Sequence, residues 1–301
     1  MMRRWFVVTP YSGESEPWFR LCVDSVKRQA EEVSEVYPEL RLIHIIIADG
    51  SALPKWFVES EYAVAIQLLS RSGDYGDTPR AVGSAFALSK GADVISYLDA
   101  DNWYLSGHCL KIYSAYTAQK VPVICATRTF YDLSGSSLDA NCLTSNGVDF
   151  VDTNCLTLFD DGLHIALKWA SIPEGEHAID DRVIFDFIKQ ARLSVAVVRR
   201  PTVAYRASAA SIYRDLGETP PSKAKSDPAI SQAIERFAKR THRSAALTWR
   251  YEIHLSATDR ILKTAAALRR RGQLDQSNQL LQSAMPHLSP FFRDLLTSVL
   301  K

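Results

Sequence analysis

Four apolar runs set the rhythm of the first hundred residues: Trp5–Val8, Leu42–Ala48, Ala63–Leu69 and Asp93–Leu98. Each has strand length and β-branched content, and none shows the polar alternation of a strand with one wet face. They predict buried parallel strands. Between them, apolar residues fall at helical spacing: Phe19, Val23, Val26, Ala30 and Val33, then Ala81, Ala85 and Leu88. Strand, helix and strand in repetition predict an α/β fold, a mostly parallel central sheet flanked by helices. From 121 to 159 the runs shorten to VPVICATRTF and VDTNCLTLF. The segment between them, DLSGSSLDANCLTSNG, has the Gly, Ser and Asn content of a surface loop able to close over a ligand. A helix over Asp181–Ala191 and strands over Ser194–Val198 and Thr202–Tyr205 complete this part.

The segment GETPPSKAKSDP then reads as a linker, and the pattern beyond it is helical over 229–240, 243–271, 273–284 and 288–300. The expected division is a sheet domain over 1–215 and a helical C-terminal appendage over 216–301. Within the appendage, AAALRRRGQLDQSNQLLQSAMPHLSP resembles one tetratricopeptide-like helix pair, which cannot bury its faces alone and has to pack on the main domain or on a second chain as a homodimer.

Composition narrows the classes. With 47% hydrophobic and 23% charged residues among 301, the chain is an ordinary globular one. Five cysteines, Cys22, Cys109, Cys125, Cys142 and Cys155, show no CxxC spacing, so neither a disulfide framework nor a zinc cluster is expected, and reduced thiols fit a cytoplasmic protein. The opening MMRRWFVVTP is broken by Thr9 and Pro10 before a signal-peptide core can form, and no stretch approaches the roughly 18 apolar residues of a membrane span. Net charge is +1, but it is uneven: residues 1–200 hold 19 Lys+Arg against 26 Asp+Glu, and 201–301 hold 16 against 8. That basic third suits solvation, an acidic acceptor, or a lipid carrier at the inner membrane face. Without aromatic interleaving or a known motif, it does not read as a nucleic-acid surface.

In parallel α/β sheets ligands bind beyond the carboxyl ends of the strands. Those ends carry Thr9-Pro10-Tyr11, Asp49-Gly50-Ser51, Arg71 to Asp77, and Asp99-Ala100-Asp101-Asn102. Asp99 and Asp101, alternating where the chain begins to turn, offer hard oxygens that suit Mg²⁺ or Mn²⁺ bridging to phosphates. Strand-end carboxylates capping a turn are the plain alternative. Arg80 precedes the helix leading into that strand, and its fork of donors suits a diphosphate or Asp99 itself, with a plain surface charge as the alternative. Gly76 and Gly83 fit positions of close backbone approach.

The succession VVTPYSGESEPWFRLCVDSVKRQ, HIIIADGS and GDTPRAVGSAFALSKGADVISYLDADNW resembles the N-terminal half of the family-2 glycosyltransferases, enzymes of the GT-A fold that transfer a sugar from a nucleoside diphosphate. The likeness covers about residues 5–115 and continues more faintly to about 206. It implies that Thr9 and Pro10 line the nucleotide pocket, that Asp49 contacts the base or ribose, and that Arg206 in Tyr205-Arg206 neutralises the leaving diphosphate. It further implies that Asp180-Asp181 matches the family's acidic pair, with Asp181 the general base of an inverting transfer and Asp180 its neighbour. Helix-first-turn acids favouring the macrodipole are the structural alternative for that pair, and Asp152, Glu174 and Glu176 are the fallback acids. The implied partners are a nucleoside-diphosphate sugar and an acceptor among glycan, lipid carrier, protein and small molecule. A nucleotidyltransferase normally adds a basic Gly-rich loop after the first strand, and TPYSGESEPW has none. A nonenzymatic nucleotide-binding module is not expected to keep the acids. A dinucleotide-binding dehydrogenase fails for want of GxGxxG.

Overall fold

The computed structural model describes residues 2–142, 145–148, 150–216, 218–224, 228–241 and 273–284. Its strands are β1 (Arg3–Tyr11), β2 (Leu40–Asp49), β3 (Ala63–Leu68), β4 (Val94–Tyr97), β5 (Trp103–Tyr104), β6 (Val123–Tyr131), β7 (Ser137–Asn141), β8 (Leu156–Phe159) and β9 (Val195–Arg206). Its α-helices are α1 (Glu16–Val36), α2 (Asp77–Ser89), α3 (His108–Gln119), α4 (Asp180–Gln190), α5 (Ala210–Asp215), α6 (Pro228–Arg240) and α7 (Leu274–Ala284). Three 3-10 segments lie at Thr153–Cys155, Asp160–Ser171 and His177–Ile179. The sheet runs β3-β2-β1-β4-β8-β6-β9-β5, with β7 paired to β6.

The four strands expected from apolar runs form the parallel block at one side, β1 pairing with β2 and β4, and β2 with β3. Their lack of alternation has a direct cause: both faces are covered. Phe6 and Val8 point into one core with Ile45, Ile47, Ile95 and Tyr97, while Trp5 and Val7 point into another with Val26, Val33, Leu42 and Val94. Helix α1 closes the second face with residues at 3- and 4-residue spacing, Phe19, Cys22, Val26, Ala30 and Val33. Helix α2 lies on the first face so closely that a Cβ on Gly83 would strike Val8. After β4 the sheet changes sense, since β8 runs antiparallel to both β4 and β6.

Two expectations change here. The supposed loop 132–147 contains β7, which forms a hairpin with β6. The two strands expected at 194–205 are one, β9, running parallel to β6 with register shifts at Cys125–Arg128, where Pro201 lacks an N–H for the ladder. The VDTNCLTLF run is a 3-10 turn followed by β8. In the C-terminal third, α6 and α7 match the segments 229–240 and 273–284, and α6 sets Ala233, Ile234 and Phe237 into the first core. The segments 243–271 and 288–300, and most of the tetratricopeptide-like stretch, lie outside the described residues. No helix among the described residues is long and apolar enough to cross a membrane.

Candidate active site

Because β1, β2 and β4 are parallel, their carboxyl ends share one edge, and the polar residues noted in the sequence gather there. Asp49 closes β2, only 4% exposed, and accepts hydrogen bonds from the Ser72 N–H and hydroxyl, each at 2.8 Å. It thereby fastens the loop from β3 to α2. Arg71 crosses the same edge to the Ser12 carbonyl and to Ser51 Oγ. Thr9 is wholly buried, its hydroxyl 2.8 Å from His44 Nε2. Burial pushes the His44 imidazole down to about 3, so this interior pair is neutral. Thr9 therefore turns inward, and Pro10 and Tyr11 carry the strand end. Pro10 lies under Gly76, where φ is +95° and a Cβ would come within 3.2 Å of Pro10 Cγ. Tyr11 packs on Phe19 at 4.3 Å between ring centroids, in a cluster that also buries Ala100.

Arg80 is the hub. From the first turn of α2, and 4% exposed, it donates from Nη2 to Asp99 Oδ1 at 2.6 Å and from Nη1 to Asp180 Oδ2 at 2.8 Å. Asp77 lies 3.6 Å away, the Tyr75 carbonyl accepts at 3.1 Å, and the guanidinium stands over the Trp169 ring at 5.0 Å. Arg80 is thus a buried side chain and not a surface charge; it holds Asp99 and ties the end of β4 to the start of α4. Burial alone would lower its pKa, but Asp99, Asp180 and Asp77 outweigh that and raise it. The acids respond in turn. Burial pushes Asp77 up to about 7 against the pull of Arg80, and pushes Asp180 well above the carboxylate range. His177 meets Asp77 through Nδ1 at 2.7 Å.

A second network approaches Asp99 from below. Asn154 accepts the Asp99 N–H at 2.6 Å and donates from Nδ2 to Asp99 Oδ2 at 2.9 Å. Asn154 also donates to Asp152 Oδ1 at 2.9 Å, and Asp152 pairs with Arg128, whose guanidinium covers the Tyr205 ring at 4.2 Å. Burial raises the Asp152 pKa against the pull of Arg128. Asp152 is thus a buried strut. Asp101 sits on the other side, its Oδ2 accepting from Arg206 Nη2 at 2.6 Å, while the Arg206 N–H holds Asn102 and its guanidinium covers Trp18 at 4.9 Å. Burial raises the Asp101 pKa, with Arg206 opposing.

Asp181, beside Asp180 at the start of α4, accepts the Arg182 N–H at 2.7 Å and its guanidinium at 3.3 Å. One side chain, Arg80, therefore connects two of the acids singled out in the sequence, Asp101 and Asp181 lie within two residues of them, and Arg206 meets Asp101 directly. Asp49 stands at the neighbouring strand end. The residues that sequence reasoning missed are Arg128 and Asn154, together with the structural roles of Asp77, Asp152 and His177.

Among the described residues, no group of three or more His, Cys, Asp or Glu side chains is arranged to hold a metal ion by itself. The donor set fits a divalent cation shared with phosphates, because Mg²⁺ is commonly held by one or two carboxylates and completes its shell with phosphate and water. Both oxygens of Asp99 are occupied, by Arg80 and Asn154, whereas among the described residues no hydrogen bond reaches Asp101 Oδ1. The linked acids Asp77, Asp99, Asp152 and Asp180 meet the guanidinium groups of Arg80 and Arg128, and Asp77 also meets His177.

No protein-family model matches the sequence, and no curated protein does. Among solved structures the chain is similar to the crystal structure of S. aureus TarS 1–349 in complex with UDP, at 13% identity and TM-score 0.47 over 95% of this chain and 93% of that one. It is likewise similar to TarS 1–349 in complex with UDP-GlcNAc, at 12% identity and TM-score 0.47 over 96% and 93%. A longer TarS crystal structure matches at 15% identity and TM-score 0.49 over 80% of this chain and 45% of that chain.

Proposed function

We propose that the chain is a nucleotide-sugar-dependent glycosyltransferase acting with inversion. The observation that carries this reading is the Arg80 bridge, which joins Asp99 at the end of β4 to Asp180 at the start of α4. It brings a phosphate-side acid and a base-side acid to one guanidinium. Pro10, Tyr11 and Asp49 flank the nucleoside at the ends of β1 and β2. Asp101 and Asp99 are the residues that would hold Mn²⁺ or Mg²⁺, which when bound would supply charge neutralisation to the leaving diphosphate.

Asp181 takes the acceptor's proton as the acceptor oxygen attacks the anomeric carbon from the side opposite the diphosphate. Asp180 is held by the Arg80 guanidinium at 2.8 Å and Asp181 more loosely by that of Arg182 at 3.3 Å, which favours Asp181 for this role. The bond to the diphosphate breaks as the new glycosidic bond forms, and Arg206 meets the charge that develops on the departing oxygens. Until then Arg206 rests on Asp101.

Isothermal titration with UDP, GDP, dTDP and CDP, with and without Mn²⁺, tests the donor site. Cation-dependent binding of one nucleotide, lost in Asp99→Ala/Asp101→Ala, is expected. Binding of none of them removes the basis of the reading and leaves a module with another ligand.

A further inference from the structure

The acids of α4 do not stand alone: the turn that delivers them is held from the far side by the C-terminal third of the chain. Glu176, at the corner of that turn, is 2% exposed. Its N–H bonds the Pro173 carbonyl and its own carbonyl receives the Ile179 N–H, both at 3.0 Å. Its carboxylate is met by Arg240 from the last turn of α6 in a two-pronged pair, Nε to Oε1 at 2.9 Å and Nη2 to Oε2 at 2.7 Å. Such fork-on-fork geometry fixes direction as well as distance. Arg236, one turn earlier on α6, lies where a Cβ on Gly175 would stand, so the turn and the helix are in close contact over two residues. Below them Ile234 and Phe237 pack in the same core as Ile172, Ile179, Val183 and Ile184.

On its other side the same turn is tied to α2, His177 to Asp77 and Asp180 to Arg80. Residues 173–181 are thus strapped between α2, which also holds Asp99, and α6, which among the described residues makes no hydrogen bond or ion pair to Asp99, Asp180 or Asp181. Among the described residues Arg240 is the one ionic partner of Glu176.

We propose that Arg240 is a positioning residue for the general base, acting through Glu176 to fix the turn that presents Asp181, so that α6 belongs to the catalytic unit. This rests on the reading of Asp181 as the base. The consequence is a division of labour within the strap. Loss of the α6 side loosens the base and leaves the donor edge, held by Arg80, Asn154 and Arg206, in place.

The test uses the full chain as wild type, Arg240→Met, Arg240→Lys and Glu176→Gln/Arg240→Met. Readouts are amide hydrogen exchange, titration with UDP, GDP, dTDP and CDP in Mn²⁺, thermal unfolding, and release of nucleoside diphosphate from the matching donor sugar with water as acceptor. Arg240→Met is expected to speed exchange within 173–186 by at least tenfold and to lower donor turnover at least tenfold. The nucleotide Kd should stay within twofold, and Arg240→Lys should recover part of the turnover. The double variant, with no buried charge left alone, is expected to regain thermal stability without regaining turnover.

If exchange in 173–186 is unchanged, or if turnover merely follows thermal stability and returns in the double variant, Arg240 is a packing residue and the proposal falls. Failure of the wild type to bind any nucleotide is a separate result. It would sink the transferase reading, while exchange would still report whether the strap exists.

Discussion

Replacing Arg80 tests the centre of the site most directly. Its guanidinium lies 2.6 Å from Asp99 and 2.8 Å from Asp180, with Asp77 at 3.6 Å, and it is 4% exposed. At an effective dielectric of about 20, each close pair attracts by about 4 kcal/mol, and desolvation of the charges cancels much of this. Removing one partner of a buried pair is costlier than the net worth of the pair, because the surviving charge stays buried; about 3–5 kcal/mol is the usual loss. Arg80→Met should lose that much at pH 8 in urea unfolding. The loss should shrink as pH falls, for a physical reason. Without the cation, the folded-state pKa values of Asp77 and Asp180, already raised by burial, rise further, and protonation at pH 5.5 relieves the repulsion. Arg80→Lys keeps the charge, but one ammonium cannot fork between Asp99 and Asp180 while stacking on Trp169, so stability should return in part and donor binding should not. An Arg80→Met protein within about 1 kcal/mol of wild type at both pH values would refute the hub, since ordinary surface changes already span about half that amount.

Three further outcomes are expected. Asn154→Ala leaves Asp99 held by Arg80 alone; loss of a supporting hydrogen bond of this kind typically costs about 10- to 100-fold in metal affinity, and Mn²⁺ titration in the presence of the cognate nucleotide should show it. Asp181→Asn should lower turnover by about 10²- to 10⁴-fold with nucleotide affinity retained, whereas equal losses of both would argue against a base. Asp77, with its folded pKa near 7 and an ordinary unfolded value of 3.8, binds its proton more tightly when folded. Its contribution to stability is therefore full below about pH 4 and lost as pH rises through about 7. Asp77→Asn should flatten that part of the stability profile, and a slope unchanged in this variant would assign the dependence to Asp180.

The parallel block could be read from the sequence because burial on both faces removes polar alternation, leaving short β-branched runs such as Ile45–Ala48 between helical segments. Asp99 and Asp101 were visible for a related reason, as acids placed directly after such a run. The α4 acids came from resemblance, since an acidic first turn is equally what a helix dipole favours. What stayed hidden depends on contacts between distant positions. Asn154 lies 55 residues from Asp99 and inside a run that reads as one strand, and nothing local marks it. Arg128 and Asp152 left a faint trace, a lone charge in each of two apolar runs, and buried opposite charges of that kind have to meet. Strand β5 is two residues long and exists through its pairing with β9, and β7 is too polar to stand out from a loop.

That pairing of Trp103 with Ala204 and of Tyr104 with Val203 has a consequence for the order in which the chain takes shape. Contacts spanning a hundred residues close late, after local ones have formed. On the ribosome the first four strands and their helices can assemble early, while Trp103 waits for a partner not yet synthesised. Arg206 arrives with that partner and settles on Asp101. Asp101 therefore gains its ion-pair partner only after residue 206 has been made. A fragment ending at Arg200 should gain helical signal yet stay prone to aggregate and bind no nucleotide, and extending it past Arg206 should be the step that changes both.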